Sequence, residues 1–419
     1  MAIELSDITF TEQDDVVPQS GVEKILNTGI SNTLAGDDII NGETGNAGGG
    51  VLNPNVGLFN TGTLNTDGGN DRITGIFNDP TDFTFNGYGI YNLGGIINTG
   101  DDNDILTGVL DNPDYTPSYQ LNAFGIYNVG GIIDTGEGDD TIINTNNIRR
   151  TSLNRTVYGI YSEFSTLNTG NGNDIITATG IDQGFYGRFG TLDTGDGDDI
   201  ITGTAYSFGI QNHWDIFNTG DGDDTITGIA DHLAINNSSS MNTGDGNDII
   251  TGNGRNSIGI SNSAYIDTGD GNDTITGIGI LAIFNSGIIN TSNGNDSIIS
   301  EGNFINRGGA INMGDGNDSI IANKGFESGS NSSGAWFLGE GDDYIKGYGS
   351  GDFYGGNGND TLELTPGTYT VGIWGEAGES PIFTKGDQLM ITSEFEKLIA
   401  GGTTYDFTSL TAGQIIVVA

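Results

Sequence analysis

Short runs in which an apolar residue alternates with a polar one recur from one end of the chain to the other. The runs read LDTGDGDDIITG at 192–203, FNTGDGDDTITG at 217–228, MNTGDGNDIITG at 241–252 and IDTGDGNDTITG at 266–277. In T-I-T and I-N-T the apolar residue returns every second position, which is the period of a β-strand and not of a helix. Between two such strands lies a six-residue acidic loop rich in glycine. A second landmark keeps the same phase, as VGLFN, YGIYN, FGIYN, YGIYS, FGIQN, LAINN, IGISN and LAIFN. One unit therefore reads as a GIxN strand, a turn, an IxN strand, the acid loop and a TIT strand.

The last Asp of each loop marks the phase: Asp38, Asp71, Asp104, Asp140, Asp174, Asp199, Asp224, Asp248, Asp273, Asp296, Asp318, Asp343 and Asp360. The first four intervals are 33, 33, 36 and 34 residues, and the next seven are 25, 25, 24, 25, 23, 22 and 25. Asp352, in a degenerate GYGSGDFYG, splits the last gap into 9 and 8. A unit this short cannot bury a face alone, so neighbours must stack. The pattern predicts an all-β, right-handed parallel β-solenoid (a β-helix or β-roll) of about 12 coils with a small C-terminal β cap. Successive coils would lie about 4.8 Å apart, with Ile, Leu, Val and Phe inside and Asn side chains at matching turns forming amide ladders. Residues 1–31 read as a lead-in, 32–363 as the solenoid and 364–419 as the cap. Within the solenoid, 32–174 are wide coils with insertions and 175–363 are regular coils.

Composition then changes the picture from a bare scaffold to a charged one. Asp and Glu outnumber Lys and Arg by 56 to 12, for a formal charge of −44. Such a chain repels nucleic acid and anionic membrane, and it resists compaction unless counter-charge arrives. Glycine supplies 73 residues without a collagen period. Absence of cysteine removes disulfides and thiolate metal sites. The first residues lack the basic and apolar regions of a cleaved signal peptide, and no run approaches the 18 apolar residues of a membrane span.

Stacking sets each acid loop on the next, so carboxylates in rows repel one another unless a cation intervenes. Calcium suits this donor set, since it takes six to eight oxygens from carboxylates and carbonyls, whereas zinc would want Cys or His. The expectation is multiple Ca²⁺ ions held by Asp38, Asp71, Asp101, Asp104, Asp140, Asp174, Asp196, Asp199, Asp221, Asp224, Asp245, Asp248, Asp270, Asp273, Asp296, Asp315, Asp318, Asp343, Asp352 and Asp360. GGNGNDTLE at 355–363 resembles the G-G-x-G-x-D-x-U-x nonapeptide of RTX, or haemolysin-type, calcium-binding proteins, and the TGDGNDTIT copies resemble it with Thr for the first Gly. The resemblance implies Ca²⁺ between loops of neighbouring coils, held by the motif Asp and loop carbonyls. Coils here carry one nonapeptide each where the family usually carries two, which implies a single calcium row.

The segment FEKLIAGGTTYDFTSL and the aliphatic end, Ile415 to Ala419, resemble the closing segment and type I secretion tail of that family. They imply export without a cleaved leader and folding on calcium outside the cell; an ordinary terminal strand is the plainer alternative. The insertions offer aromatics Phe83, Phe85, Tyr115 and Tyr119 and bases Arg149, Arg150 and Arg155 to a partner such as a cell-surface polysaccharide. Residues 1–30 show no polar cap, and open strand edges invite another copy of the chain, hence filaments or a surface layer. An adhesin and a polysaccharide-modifying enzyme on a β-helix are the alternatives. For the enzyme, His213 and His232 are the only histidines and fall at different phases, so no catalytic residues are assigned. A flat Thr face for ice, through Thr99, Thr135, Thr169, Thr194, Thr219, Thr243 and Thr268, is a further, weaker reading.

Overall fold

Alternation along each unit is realised as stacked, parallel strands. The computed structural model describes residues 2–19, 23–44, 55–78, 86–111, 122–148, 156–213, 216–327, 334–375 and 380–419. Among these the only helical elements are two single 3₁₀ turns, Leu5–Asp7 and Phe407–Ser409. The chain divides into two compact units, Met1–Asp221 with Thr225–Asp231, and Gly222–Asp224 with His232–Ala419. The insertions with Phe83, Phe85, Tyr115, Tyr119, Arg149, Arg150 and Arg155 lie outside the described residues.

In the first unit each rung from Lys24 onward contributes one strand to each of three parallel sheets. The GIxN strands Gly87–Leu93, Ala123–Val129 and Val157–Glu163 pair residue for residue, Ile90 beside Ile126 beside Ile160. The short strands Ile96–Asn98 and Ile132–Asp134 form the second sheet, and the post-loop strands Ile105–Leu110 and Thr141–Asn146 the third. The acid loop joins the second sheet to the third. Ile73, Leu106, Ile142, Ile176 and Ile201 are wholly buried, each stabilising the interior by about 1.5–3 kcal/mol.

Parallel pairing begins earlier than the predicted residue 32. Ala2–Glu4 pairs with Lys24–Asn27, and Val16–Val17 with Ile39–Ile40. The lead-in is therefore a first rung, with Gln13-Asp14-Asp15 where later rungs have the glycine-rich loop.

The second unit repeats the three sheets through Leu233–Asn237, Ser240–Asn242 and Ile249–Asn253. Its GIxN sheet ends at Phe326–Glu327. Beyond it the coil passes from Tyr344–Lys346 directly to Gly351–Asn357. This accounts for the 17 residues between Asp343 and Asp360, because the last rung has two strands where the rungs just before it have three. The interior there widens its side chains, with Trp336 stacked on Phe353 at 4.3 Å. The cap adds antiparallel pairs: Gly367–Trp374 lies between Ser380–Lys385 and Ile415–Val418. The chain's aliphatic end is thus a paired strand, with Ile415 and Val417 facing outward.

Asn side chains at the end of the GIxN strands form the expected amide ladders. Asn27 donates to Asn60, Asn60 to Asn92 and Asn92 to Asn128 at 2.8–2.9 Å. In the second unit Asn237, Asn262, Asn285 and Asn306 repeat the arrangement at 2.8–3.0 Å.

A candidate metal-binding row

The acid loop can wind tightly because its glycines adopt conformations that other residues rarely take. Gly269 has φ +73, and a Cβ there would lie 1.9 Å from the Gly244 carbonyl oxygen; at Gly246, φ is +151 and the clash with Gly222 is the same. The loops therefore stack backbone on backbone, which fixes where each acid points.

The last Asp of the loop points inward. In the first unit the backbone N–H of each donates to Oδ1 of the next: Asp15 to Asp38, Asp38 to Asp71, Asp71 to Asp104, Asp104 to Asp140, Asp140 to Asp174 and Asp174 to Asp199, each at 2.7 Å. The second unit carries the same chain of bonds from Asp224 through Asp248, Asp273, Asp296, Asp318 and Asp343 to Asp360, at 2.7–2.9 Å. These carboxylates from Asp38 onward are at most 1% exposed. Oδ1 is used by the backbone, and Oδ2 of Asp71, Asp104, Asp140, Asp174, Asp296, Asp318, Asp343 and Asp360 is buried without a hydrogen-bond partner.

Burial raises the pKa of the row. Asp71, Asp104 and Asp199 are pushed up to about 7, Asp140 to about 6 and Asp174 to about 8. In the second unit Asp273, Asp318 and Asp343 reach about 7, and Asp296 and Asp360 about 6. Loss of hydration is the largest cause in every case, and neighbouring carboxylates add to it. A Thr beside each of the earlier acids pulls the other way.

That threonine comes from the loop's first position. Thr99, Thr135, Thr169, Thr194 and Thr268 are wholly buried. Most of their hydroxyl protons go along the stack to the next rung's carbonyl, as from Thr99 to Thr135 and Thr194 to Thr219 at 3.2 Å; Thr268 instead donates to Asp273 Oδ2. Thr219 and Thr243 are buried too. A Thr face for ice is thereby overturned, because two steps along a strand from an inward Leu or Ile is inward again.

The first Asp of the loop points outward. Asp101, Asp196, Asp221, Asp245, Asp270 and Asp315 are exposed. Some bond along the surface, as Asp196 N–H to Asn171 at 3.0 Å and Asp270 N–H to Asp245 at 3.1 Å. A further exposed column bonds in the opposite sense to the inner row: Asn272 N–H donates back to Asn247, and Asn295 to Asn272, both at 2.9 Å. The predicted ligands thus separate into an inner and an outer set that do not share a side of the loop. Asp352 belongs to neither: it sits in a strand beside Ala335, and Asn357 takes the loop position beside Glu340.

Two members of the row escaped the sequence reading, Asp15 in the first rung and Glu396 in the cap, whose Oε2 accepts the Asp360 N–H at 2.7 Å. Both lack the glycine signature. Of the two histidines, His213 stands in register with Arg188 in the first unit, and His232 lies in the second unit.

Among the described residues no three acidic or imidazole groups converge as a self-sufficient metal cluster. The inner row nonetheless fits a hard cation. It offers orphaned carboxylate oxygens on at least eight rungs, stacked beside loop backbone carbonyls. Each such oxygen needs either a proton or a cation, since a buried, unpaired carboxylate is costly.

No protein-family model matches the chain, and no curated protein sequence matches it. One solved structure it is similar to is described as the X-ray crystal structure of a hyperactive, Ca²⁺-dependent, β-helical antifreeze protein from an Antarctic bacterium. The TM-score is 0.37 at 19% identity, over 85% of this chain and 78% of that one.

Proposed function

We propose that the chain is a secreted, calcium-binding scaffold of the cell surface or extracellular matrix, held in register by one row of Ca²⁺ ions along the inner aspartates. The observation that carries this is the file of buried Oδ2 atoms without partners in a chain of charge −44. Calcium supplies positive charge that removes their repulsion and desolvation cost together. In a calcium-poor cytosol the row stays charged and the chain unfolded, fit for export through a type I channel; millimolar calcium outside folds it. The solenoid self-associates or displays partners along its length.

Circular dichroism and bound-metal analysis on the purified chain test this. Calcium should restore β-structure lost in EGTA, with several ions per chain. A spectrum indifferent to chelator, with no metal bound, would end the proposal.

A second reading, an adhesin, is favoured by the outer side of the first unit's GIxN sheet. Phe59, Tyr91, Tyr127, Tyr161 and Tyr186 form a column of edge-on and then stacked rings, with centroids 4.9–5.2 Å apart. Beside it Phe164 and Phe189 stack at 5.1 Å, both exposed and both at φ +50. Exposed aromatics in a backbone region that disfavours them point to a binding role. Glycan-array binding lost in Phe164→Ala with the fold intact would support it, and an unchanged profile would remove it.

A further inference from the structure

The inner row ends differently in its first rung and at the cap. Asp15 closes itself: its Oδ2 accepts the Thr11 N–H at 2.7 Å and the Thr11 hydroxyl at 3.2 Å. Asp360 has no such closure. It is wholly buried, its Oδ1 accepts the Asp343 N–H at 2.9 Å, and its Oδ2 has no partner.

The cap meets Asp360 by an abbreviated turn. Tyr354 pairs with Ser393 and Thr361 with Lys397, so the six residues 355–360 face only three, 394–396. A three-residue crossing leaves no room for an acid loop, and the longer Glu396 side chain reaches across to the Asp360 N–H. Glu394, at φ +61, turns the chain there. The position in front of Asp360, filled by Thr in most rungs and by Leu338 in the preceding one, is Gly355. A Cβ on Gly355 would lie 2.7 Å from Asp360 Oδ2 and 1.9 Å from the Glu394 carbonyl oxygen. Gly355 therefore packs its bare backbone against both oxygens, and the position admits no side chain that could cover them.

We propose that Asp360, Glu396 and the Glu394 carbonyl form a terminal divalent-cation site that fastens the cap to the last rung. Three oxygens of this kind suit a hard ion, Ca²⁺ before Mg²⁺, because the turn is irregular and the remaining positions fall to water. This rests on the reading of the inner row as a calcium row, and adds that its last ligand comes from outside the repeats. The cap is then ordered by metal, so docking of the segment that closes the chain responds to calcium.

The test uses the full-length chain, calcium as the probe, and two variants. Glu396→Gln keeps an oxygen acceptor for the Asp360 N–H but removes the charge; Glu396→Asp keeps the charge but withdraws it by one methylene. Calcium per chain is counted by elemental analysis, and hydrogen exchange follows Lys397–Ala400 against Ile249–Asn253 with and without calcium. Both variants should bind one ion fewer, and exchange in Lys397–Ala400 should no longer slow on adding calcium, while Ile249–Asn253 still responds. An unchanged count overturns the terminal site, whether cap protection is kept or lost, since loss alone would make Glu396 only a structural contact. A wild-type chain that binds no calcium overturns the whole-row reading, and the terminal site with it.

Discussion

The inner and outer columns of the acid loop are one to three residues apart in sequence and live in different media. Asp273 is 1% exposed and its pKa is raised to about 7; Asp270, three positions earlier, is exposed. The same side chain is a source of repulsion in one place and a solvated charge in the other. Counting acids thus does not separate buried from solvated carboxylates; winding does.

The largest separation between the columns should appear on changing pH in chelator. Burial lifts the inner acids from 3.8 to about 6–8, so the metal-free folded chain binds more protons than the unfolded one between about pH 4 and pH 7. That contribution is complete at low pH and is lost as pH rises through 6–8, on the order of a few kcal/mol per carboxyl. Thermal melts in EGTA should therefore be seen at pH 5, where the row is protonated, and fall steeply until the metal-free chain no longer folds near pH 8, whereas saturating calcium should flatten the curve. A metal-free melting temperature that rises over this range would contradict the buried row.

Smaller, and sharper, is a pairwise comparison. Asp273→Ala strips the Asp248 N–H of its acceptor at 2.8 Å and should cost about 1–3 kcal/mol even without metal, besides removing calcium. Asp270→Ala should stay within about 0.5 kcal/mol and leave the calcium count unchanged. Denaturant melts of the two variants decide whether inner and outer acids differ as the burial says. The smallest effect is expected of Asp352→Ala, which should leave bound calcium as it is, because that carboxyl stands in a strand and not in a loop.

Much of this was legible in the residues. Alternation gave the strands, phase gave the stacking, and the repeated final Asp gave the row. Inside and outside of the loop were not legible, because the glycine-driven winding that turns Asp199 in and Asp196 out leaves no mark on the identity of either. Thr194 was misjudged for a simpler reason: from Leu192 it is two steps away, and so shares the interior. Asp15 stayed hidden because Thr11-Glu12-Gln13 replaces the glycines, and Glu396 because its turn is three residues short. The spacing of nine around Asp352 misled, since a two-strand coil reproduces the beat of a nonapeptide without its loop.

The amide files at Asn60, Asn92 and Asn128, and at Asn262, Asn285 and Asn306, set a rule for how such a chain can change length. Each amide both gives to one neighbour and receives from the other, so a single-residue deletion inside a strand would break two bonds at once and throw the next file out of step. Removing a complete turn of the coil costs only its own pair and rejoins the ends. Growth and shrinkage by whole turns, with added residues confined to the stretches before the GIxN strands, is then the only cheap route, and the molecule can be lengthened the way a zip is, tooth by tooth.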